Sequence, residues 1–494
     1  ANFLGKLWIS FFGIIFVPIY IRLLGIESYG LIGLFVSLTS IVSLLDMGLS
    51  TTLSREISIL SINAKQNNET GDIVRTLEII YIFIGFLIGF LILSLSGPIS
   101  NYWIDSSALD KNLIKNCIVI MGISISFNWP SSLYIGGLIG LQRQIDLNLI
   151  RSIFASMQYI GAVIILIYFS KSVFIFFVWQ SFVSLISTIS LRIWLWKILE
   201  YKSNHNFKPK FKFILIKRIF KFASGVTGIS ILTVLLTQID KIILSRMLSL
   251  EFFGYYMVAF NISEKLNYLV SPIVTALYPR FTQLISKGSN DNLLNLYNIG
   301  SQLVSVIVIP CALTLAFFSR EILYLWLRDI DLSNNTYLIL SVFIIGTALN
   351  NLVSLPYTLQ LAYGKTKLVF FANLFAVFFL IPFIIFLTNL YQGVGAVIPW
   401  LTLNFGYFIF LIPKMHIPLF KLGMKGWYKN NVNIQLLISL LIIITAKFLI
   451  PKKMLGLDLT IFVILISLFI AYLCSFQFST KLKNNIIKNI NLKK

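Results

Sequence analysis

Charge is what this sequence has least of. Only 12% of its 494 residues are Asp, Glu, Lys or Arg, about half the share usual in a water-soluble domain, and 57% are hydrophobic. Acidic residues are the scarcest, 18 against 40 Lys and Arg, which leaves a formal net charge of +22. There are two histidines, His205 and His416, each beside a basic stretch. The three cysteines, Cys117, Cys311 and Cys474, lie in or beside apolar segments without CxxC spacing. This set is too sparse for a zinc centre, and neither a disulfide nor a metal site is expected. A Walker A motif, a Gly-rich phosphate loop and a Ser/His/Asp set are also missing, which argues against ATP-driven pumping by this chain alone. Long polar stretches are absent too: apolar runs recur roughly every 30 residues, so the chain reads as one membrane unit.

The apolar runs are long enough to span a bilayer, at roughly 20 residues each. They fall near 3–23, 29–54, 75–95, 116–140, 148–169, 172–196, 222–246, 254–282, 296–319, 336–363, 367–388, 393–414, 432–450 and 457–478. The expected fold is therefore an all-α integral membrane protein with about fourteen transmembrane helices. The first run contains Lys6 and no small-x-small cleavage site, so it reads as a retained helix and not a signal peptide.

A charge of +22 in a soluble protein would suggest nucleic acid, whereas in a membrane protein it predicts basic residues gathered in alternate loops. With the N-terminus inside, about 27 basic residues fall in cytoplasmic loops and the tail, against about 9 on the other side. Both termini are thus placed in the cytoplasm, and no nucleic-acid partner is expected. Four cations, Lys6, Lys241, Lys265 and Lys447, fall inside spans.

The most basic polar connection, residues 197–221, separates two sets of six spans and reads as an amphipathic segment on the anionic cytoplasmic leaflet. An internal repeat supports the division. RLLGIESYG (22–30) joins the first two spans, RMLSLEFFG (246–254) joins the seventh and eighth, and they match at Arg22/Arg246, Leu24/Leu248, Glu27/Glu251 and Gly30/Gly254. Arg55 and Arg280 close the following spans about one residue out of that register, and Pro130 has a counterpart in Pro356. Six crossings are an even number, so the halves are parallel repeats. The expected organisation is a lobe over 1–196, the linker 197–221, a second lobe over 222–415, and a loop, two helices and a basic tail over 416–494.

A charge at mid-bilayer costs about 2.5 to 3.5 kcal/mol on insertion scales and should face protein or a water-filled cavity. The candidates are Asp46, Asp240, Lys241, Glu264, Lys265 and Lys447. Asp240, Lys241, Glu264 and Lys265 can pair with one another across neighbouring helices, or at least one of the lysines faces a cavity and attracts an anionic group. Lys447 reads as peripheral, snorkelling or touching a neighbour. Arg55 and Arg280 suit a diphosphate, because a guanidinium holds two phosphate oxygens at once, and equally suit ordinary anchoring at helix ends. Pro272, about a turn and a half beyond Glu264 and Lys265, is the preferred hinge among several prolines within spans. Asp329-Ile330-Asp331 is a DxD in a short external loop and carries little weight.

The patterns PIYIRLLGIESYGLIGLF, LLDMGLSTTLSRE (44–56) and LTQIDKIILSRMLSLEFFGYY (236–256) resemble the polysaccharide-lipid flippases. These are the O-antigen translocases (Wzx-type) of the multidrug/oligosaccharidyl-lipid/polysaccharide exporter superfamily, and the resemblance covers about residues 1–415. It implies a V-shaped, MATE-like pair of six-helix bundles that alternates between inward- and outward-open states in the bacterial inner membrane. It further implies an undecaprenyl-diphosphate-linked oligosaccharide, an O-antigen or capsule precursor, moved from the cytoplasmic to the periplasmic leaflet. Carried onto this sequence, Lys241, Lys265, Arg22, Arg246, Arg55 and Arg280 are the substrate-binding cations, and Asp46, Asp240 and Glu264 the pairing or ion-coupling carboxylates. No cofactor is implied beyond H+ or Na+ as the coupling ion. Expected partners are the lipid-linked oligosaccharide, membrane lipids and other polysaccharide-assembly membrane proteins.

Three other readings stand beside this one. A cation-coupled multidrug antiporter would favour a carboxylate-rich aromatic pocket, whereas the interior charges here are mixed in sign. A membrane glycosyltransferase or repeat-unit polymerase would need a substantial extramembrane loop, and the longest external one, near 96–115, is short. A scaffold of a glycan-assembly complex has no need of intramembrane charge.

Overall fold

A backbone in hydrocarbon has no water to bond to, so a chain this apolar must satisfy its N–H and C=O groups within helices. The computed structural model describes residues 2–46, 48–60, 67–202, 209–215, 232, 235–365, 367–416, 424–449 and 457–491. Helices dominate them, and the one β-bridge among them pairs Asp105 with Ser249. They divide into two compact units, Ala1–Gly254 and Tyr255–Lys494.

The first unit opens with α1 (Asn2–Leu24) and α2 (Ile26–Val42), parted by Gly25 at φ +83°, a left-handed turn that favours glycine. The second predicted span is interrupted. After α2 comes a 3₁₀ turn, Ser43–Asp46, and then α3 (Leu49–Leu60), with Gly48 at φ +74° between them. Next are α4 (Asn67–Pro98), α5 (Lys111–Asn128) and α6 (Ser131–Gly140), the last two parted at Pro130, then α7 (Gln144–Tyr168) and α8 (Val173–Lys202). Proline removes a helical donor, which accounts for the break inside the fourth span. Residues 235–247, here α9, are helical.

The second unit holds most of α10 (Leu250–Ser286), then α11 (Asn290–Phe317), α12 (Ser319–Leu327) and α13 (Ile330–Ala362). The helix α14 (Lys367–Gly406) bends at Gln392, whose φ of 48° and ψ of −127° are not helical, so its two arms are the eleventh and twelfth spans. Short α15 (Ile412–His416) and α16 (Met424–Tyr428) lead to α17 (Ile434–Leu449), α18 (Leu457–Gln477) and α19 (Thr480–Asn491). Both α17 and α18 pack against α11, fastened by Ser439 to Ser475 at 3.0 Å and by Tyr472 to the Ile307 carbonyl at 3.1 Å. Nine helices among the described residues are long and apolar enough to cross a membrane. With α14 counted as two arms, and with α1, α2–α3, α9 and α10 added, about fourteen spans result, as the hydropathy pattern predicts, although all but one residue of 222–234 in the seventh predicted span lies outside the described residues.

The repeated turns meet each other within the first unit. A Cβ on Gly30 would stand 2.5 Å from the Leu250 carbonyl oxygen, and one on Gly254 would stand 2.6 Å from that of Ile26. Ile26 and Leu250 occupy the same place in the two repeats, as do Gly30 and Gly254, so the contact is reciprocal. Glycine is required here for close backbone approach. The α4–α5 loop ties down both turns: the buried Glu27 carboxylate accepts from the Ser106 hydroxyl at 2.5 Å, the Ser107 hydroxyl at 2.7 Å and the Ala108 N–H at 3.0 Å. The Leu250 N–H donates to the Asp105 carbonyl at 2.7 Å. Gly30→Ala or Gly254→Ala is expected to cost about 1–3 kcal/mol through overpacking, read as a lower unfolding midpoint in detergent. A midpoint unchanged in both variants would contradict the crossing.

Candidate functional site

Among the described residues intramembrane charge is held at five places, and at one of them a cation has no hydrogen-bonding partner. In the first unit Asp46 lies in the 3₁₀ turn that interrupts the second span. Its Oδ2 accepts from the Ser50 hydroxyl at 2.7 Å and the Ser50 N–H at 3.3 Å, and its Oδ1 accepts from the Tyr81 hydroxyl and, at 3.3 Å, from that of Ser132. Four donors from α3, α4 and α6 thus stabilise a carboxylate with no cation attached, the condition in which an anion is tolerated in apolar surroundings.

On α9, Asp240 and Lys241 pair along one helix. The Lys241 ammonium is 2% exposed; it donates to Asp240 at 3.0 Å and to the Thr237 carbonyl at 2.7 Å. In the second unit, on α10, Glu264 accepts from the Asn267 side chain at 3.3 Å. Asn267 in turn accepts from Asn351 of α13 at 2.8 Å. Its neighbour Lys265 is different. This half-buried ammonium lies 5.6 Å from the centre of the Tyr268 ring and makes no hydrogen bond or ion pair among the described residues. An aromatic face offsets only part of the cost of removing an ammonium from water.

The arginines predicted to bind substrate are all exposed. Arg22 ends α1, Arg246 lies near the end of α9, Arg55 pairs with Glu56 at 3.2 Å, and Arg280 donates to Gln283 at 3.2 Å. Pro272 is exposed within the continuous α10. Lys447 reaches Glu321 at 2.6 Å and lies over the Phe318 ring at 5.1 Å, a contact with its neighbours at the rim of the α17 packing.

Sequence reasoning missed the strongest polar centre in the molecule. Glu78 of α4 has a side chain with 0% exposure. Its Oε1 accepts from Arg192 Nε of α8 at 2.7 Å, the Tyr134 hydroxyl of α6 at 2.8 Å and the Trp196 indole at 3.1 Å, while Oε2 accepts from Arg75 at 2.7 Å. Arg75 and Arg192 are counted as loop cations by the charge-bias argument, so their counter-ion goes unsought. The available signal was the lone acid in RTLEIIYIF, where an unpaired carboxylate has no business in an apolar run. A further feature is an apolar groove of about 890 Å³ between the arms of α14, lined by Phe371, Phe375, Phe379, Phe386 and Phe410 and ending at Lys414.

A helical bundle of this size, with charges buried inside its spans, is that of a multi-pass membrane protein. Among solved structures, the lipid II flippase MurJ in an inward closed conformation aligns over 99% of this chain and 98% of its own, with a TM-score of 0.74 at 16% identity. A multidrug resistance MATE family transporter of the MOP superfamily, inward-facing, aligns over 82% of this chain and 95% of its own, with a TM-score of 0.66 at 14% identity. A protein of Shigella flexneri described as a putative O-antigen transporter is 22% identical over 384 residues, 77% of this chain and 87% of that protein. The family model described as polysaccharide biosynthesis protein matches residues 1–285, and the chain belongs to that family.

Removing Glu78 leaves two guanidiniums facing each other without a counter-charge. Because both are partly open to solvent, Glu78→Ala is expected to cost about 2–3 kcal/mol, below the full loss for a buried pair. Lys447→Ala, at a half-exposed pair, is expected to cost about 1 kcal/mol or less. Equal unfolding midpoints for the two variants would contradict the reading of Glu78 as the brace of α4, α6 and α8.

Proposed function

We propose that this protein is a flippase that moves undecaprenyl-diphosphate-linked oligosaccharide repeat units, an O-antigen or capsule precursor, from the cytoplasmic to the periplasmic leaflet by alternating access. It does so in the bacterial inner membrane with both termini in the cytoplasm, as two parallel six-helix lobes over 1–196 and 222–415. Family membership supports a glycan-related cargo. The observation that carries an anionic cargo is Lys265, a cation inside a span that makes no hydrogen bond or ion pair among the described residues, with the Tyr268 ring and the Glu264 carboxylate as its neighbours. Such a charge is tolerated where water or a ligand reaches it, and a diphosphate is the complementary ligand.

On this reading Lys265 of the second unit receives the diphosphate, and Lys241 of the first unit, held by Asp240, is a further substrate-binding cation. The exposed arginines Arg22, Arg246, Arg55 and Arg280 meet the head group at the two membrane faces. Asp46, Asp240 and Glu264 are the groups through which H+ or Na+ would couple, and bending of α10 at Pro272 would supply the movement. Other polysaccharide-assembly proteins of the same membrane would deliver and receive the cargo. A cation-exporting antiporter is the second reading, supported by the likeness to the MATE structure. It is disfavoured by the same lysine, which repels a cationic drug.

Complementation of a flippase-deficient strain is the test. The wild-type chain should restore surface polysaccharide, Lys265→Ala should reduce it about tenfold or more at unchanged membrane abundance, and Lys265→Arg should retain part of it. Full export by Lys265→Ala, or resistance to cationic drugs without polysaccharide, would overturn the reading.

A further inference from the structure

We propose that Arg75 and Arg192, organised by Glu78, form a separate anion site in the first unit that takes the phosphoryl or diphosphoryl head group of a membrane lipid. The inference rests on the geometry of α4, α6 and α8 and is independent of which glycan is carried. Each guanidinium spends one nitrogen on Glu78, Arg192 through Nε and Arg75 through Nη1, both at 2.7 Å. Arg192 also bonds the Tyr134 hydroxyl, while the remaining N–H groups of Arg75 donate to no protein acceptor among the described residues. The two side chains are 41% and 44% exposed, so these donors are open, while the carboxylate between them is fully enclosed.

A brace alone would be built differently. The economical arrangement for one buried carboxylate is a single guanidinium in a two-pronged pair, which neutralises the charge and uses both oxygens. Here two guanidiniums share one carboxylate, and each touches it with one nitrogen. The Tyr134 hydroxyl and the Trp196 indole take up the remaining acceptor capacity. The result is a net single positive charge shared by α4 and α8 on two partly exposed guanidiniums. Both cations are held by the same carboxylate, hence within reach of one tetrahedral anion, which has oxygens enough to accept from both forks.

The surroundings bring two lysines, Lys210 and Lys212, and two carboxylates, Asp72 and Glu69. The linker segment 209–212 is bound along the first turns of α4: the Lys210 N–H donates to Asp72 at 2.6 Å, the Lys212 N–H to the Thr76 hydroxyl at 3.0 Å, and the Lys212 ammonium pairs with Asp72 at 2.6 Å. That pairing raises the affinity of Lys212 for its proton and keeps it charged. Lys210 remains exposed, its backbone held by Asp72, which precedes Arg75 by about one helical turn. A basic segment tied down beside the guanidinium pair favours an anionic head group lying at the helix ends over a cargo group deep in the bundle.

The test uses the full-length protein in a maltoside detergent, with inorganic pyrophosphate, farnesyl diphosphate and phosphatidylglycerol as probes. Wild type is compared with Arg75→Gln/Arg192→Gln, with Arg192→Lys, and with Lys197→Gln as a nearby charge control. Loss of charge-assisted hydrogen bonds should weaken farnesyl diphosphate binding about tenfold or more in the double variant and several-fold in Arg192→Lys, which keeps the charge and loses the fork. The control should bind like wild type. Farnesyl diphosphate or phosphatidylglycerol binding well above pyrophosphate assigns the site to a lipid head group; pyrophosphate binding as tightly overturns that part and leaves a free-anion site. Affinities equal in wild type and Arg192→Lys, or lowered as much by Lys197→Gln, would overturn the proposal, and this readout survives if the double variant fails to fold. Intact lipid binding with failed complementation would instead overturn only the transport function.

Discussion

In the hydrocarbon of a bilayer a carboxylate must find its partners inside the protein, and this constraint governs Glu27, Asp46 and Glu78. It explains why Asp46 collects four donors, why Glu27 is wrapped by Ser106, Ser107 and Ala108, and why Glu78 sits among two arginines, a tyrosine and a tryptophan. These carboxylates also set the architecture. Each draws donors from other segments of the first unit: Glu78 joins α4, α6 and α8, Asp46 joins α3, α4 and α6 at the break in the second span, and Glu27 fixes the α4–α5 loop beside the repeated turns. Apolar packing supplies most of the contact, and the polar nodes select which helices are neighbours.

Against that background Lys265 stands out by what it lacks. Lys241 obeys the constraint, with a carboxylate and a carbonyl on its ammonium, and Lys447 obeys it through Glu321. The ammonium of Lys265 has a tyrosine face and a neighbouring glutamate that accepts from Asn267. A transporter for an anion needs such an incomplete site, because a cation already neutralised by the protein has less to offer a ligand. The family and the fold make transport the expected use of that incompleteness.

The span pattern was legible in the sequence, because twenty apolar residues in a row leave a helix few alternatives in hydrocarbon. The repeat was legible too, and the reciprocal approach of Gly30 and Gly254 gives its two glycines a common physical reason. What hydropathy could not see was the backbone within a span: the second predicted span hides the turn at Ser43–Asp46 and Gly48, and an average over side chains is blind to φ. The parting of the eleventh and twelfth spans was visible only as a dip in the apolar run, though it rests on one residue, Gln392. The site was half legible. Charges within spans could be listed from the sequence, but which of them are satisfied depends on tertiary neighbours, so Lys241 and Lys265 looked alike. Glu78 went unnoticed because its partners Arg75 and Arg192 belong, by charge bias, to loops.

The central claim is that Lys265 faces water or ligand inside an otherwise apolar bundle. The direct measurement is thiol labelling of Lys265→Cys in a chain whose Cys117, Cys311 and Cys474 are replaced by serine, in spheroplasts and in inverted vesicles, with Lys365→Cys as the loop reference. The account predicts that a charged, membrane-impermeant maleimide labels position 265 from at least one side, within about tenfold of the loop rate, because an ionised group at this depth requires access to water. Labelling by a membrane-soluble maleimide alone would contradict it.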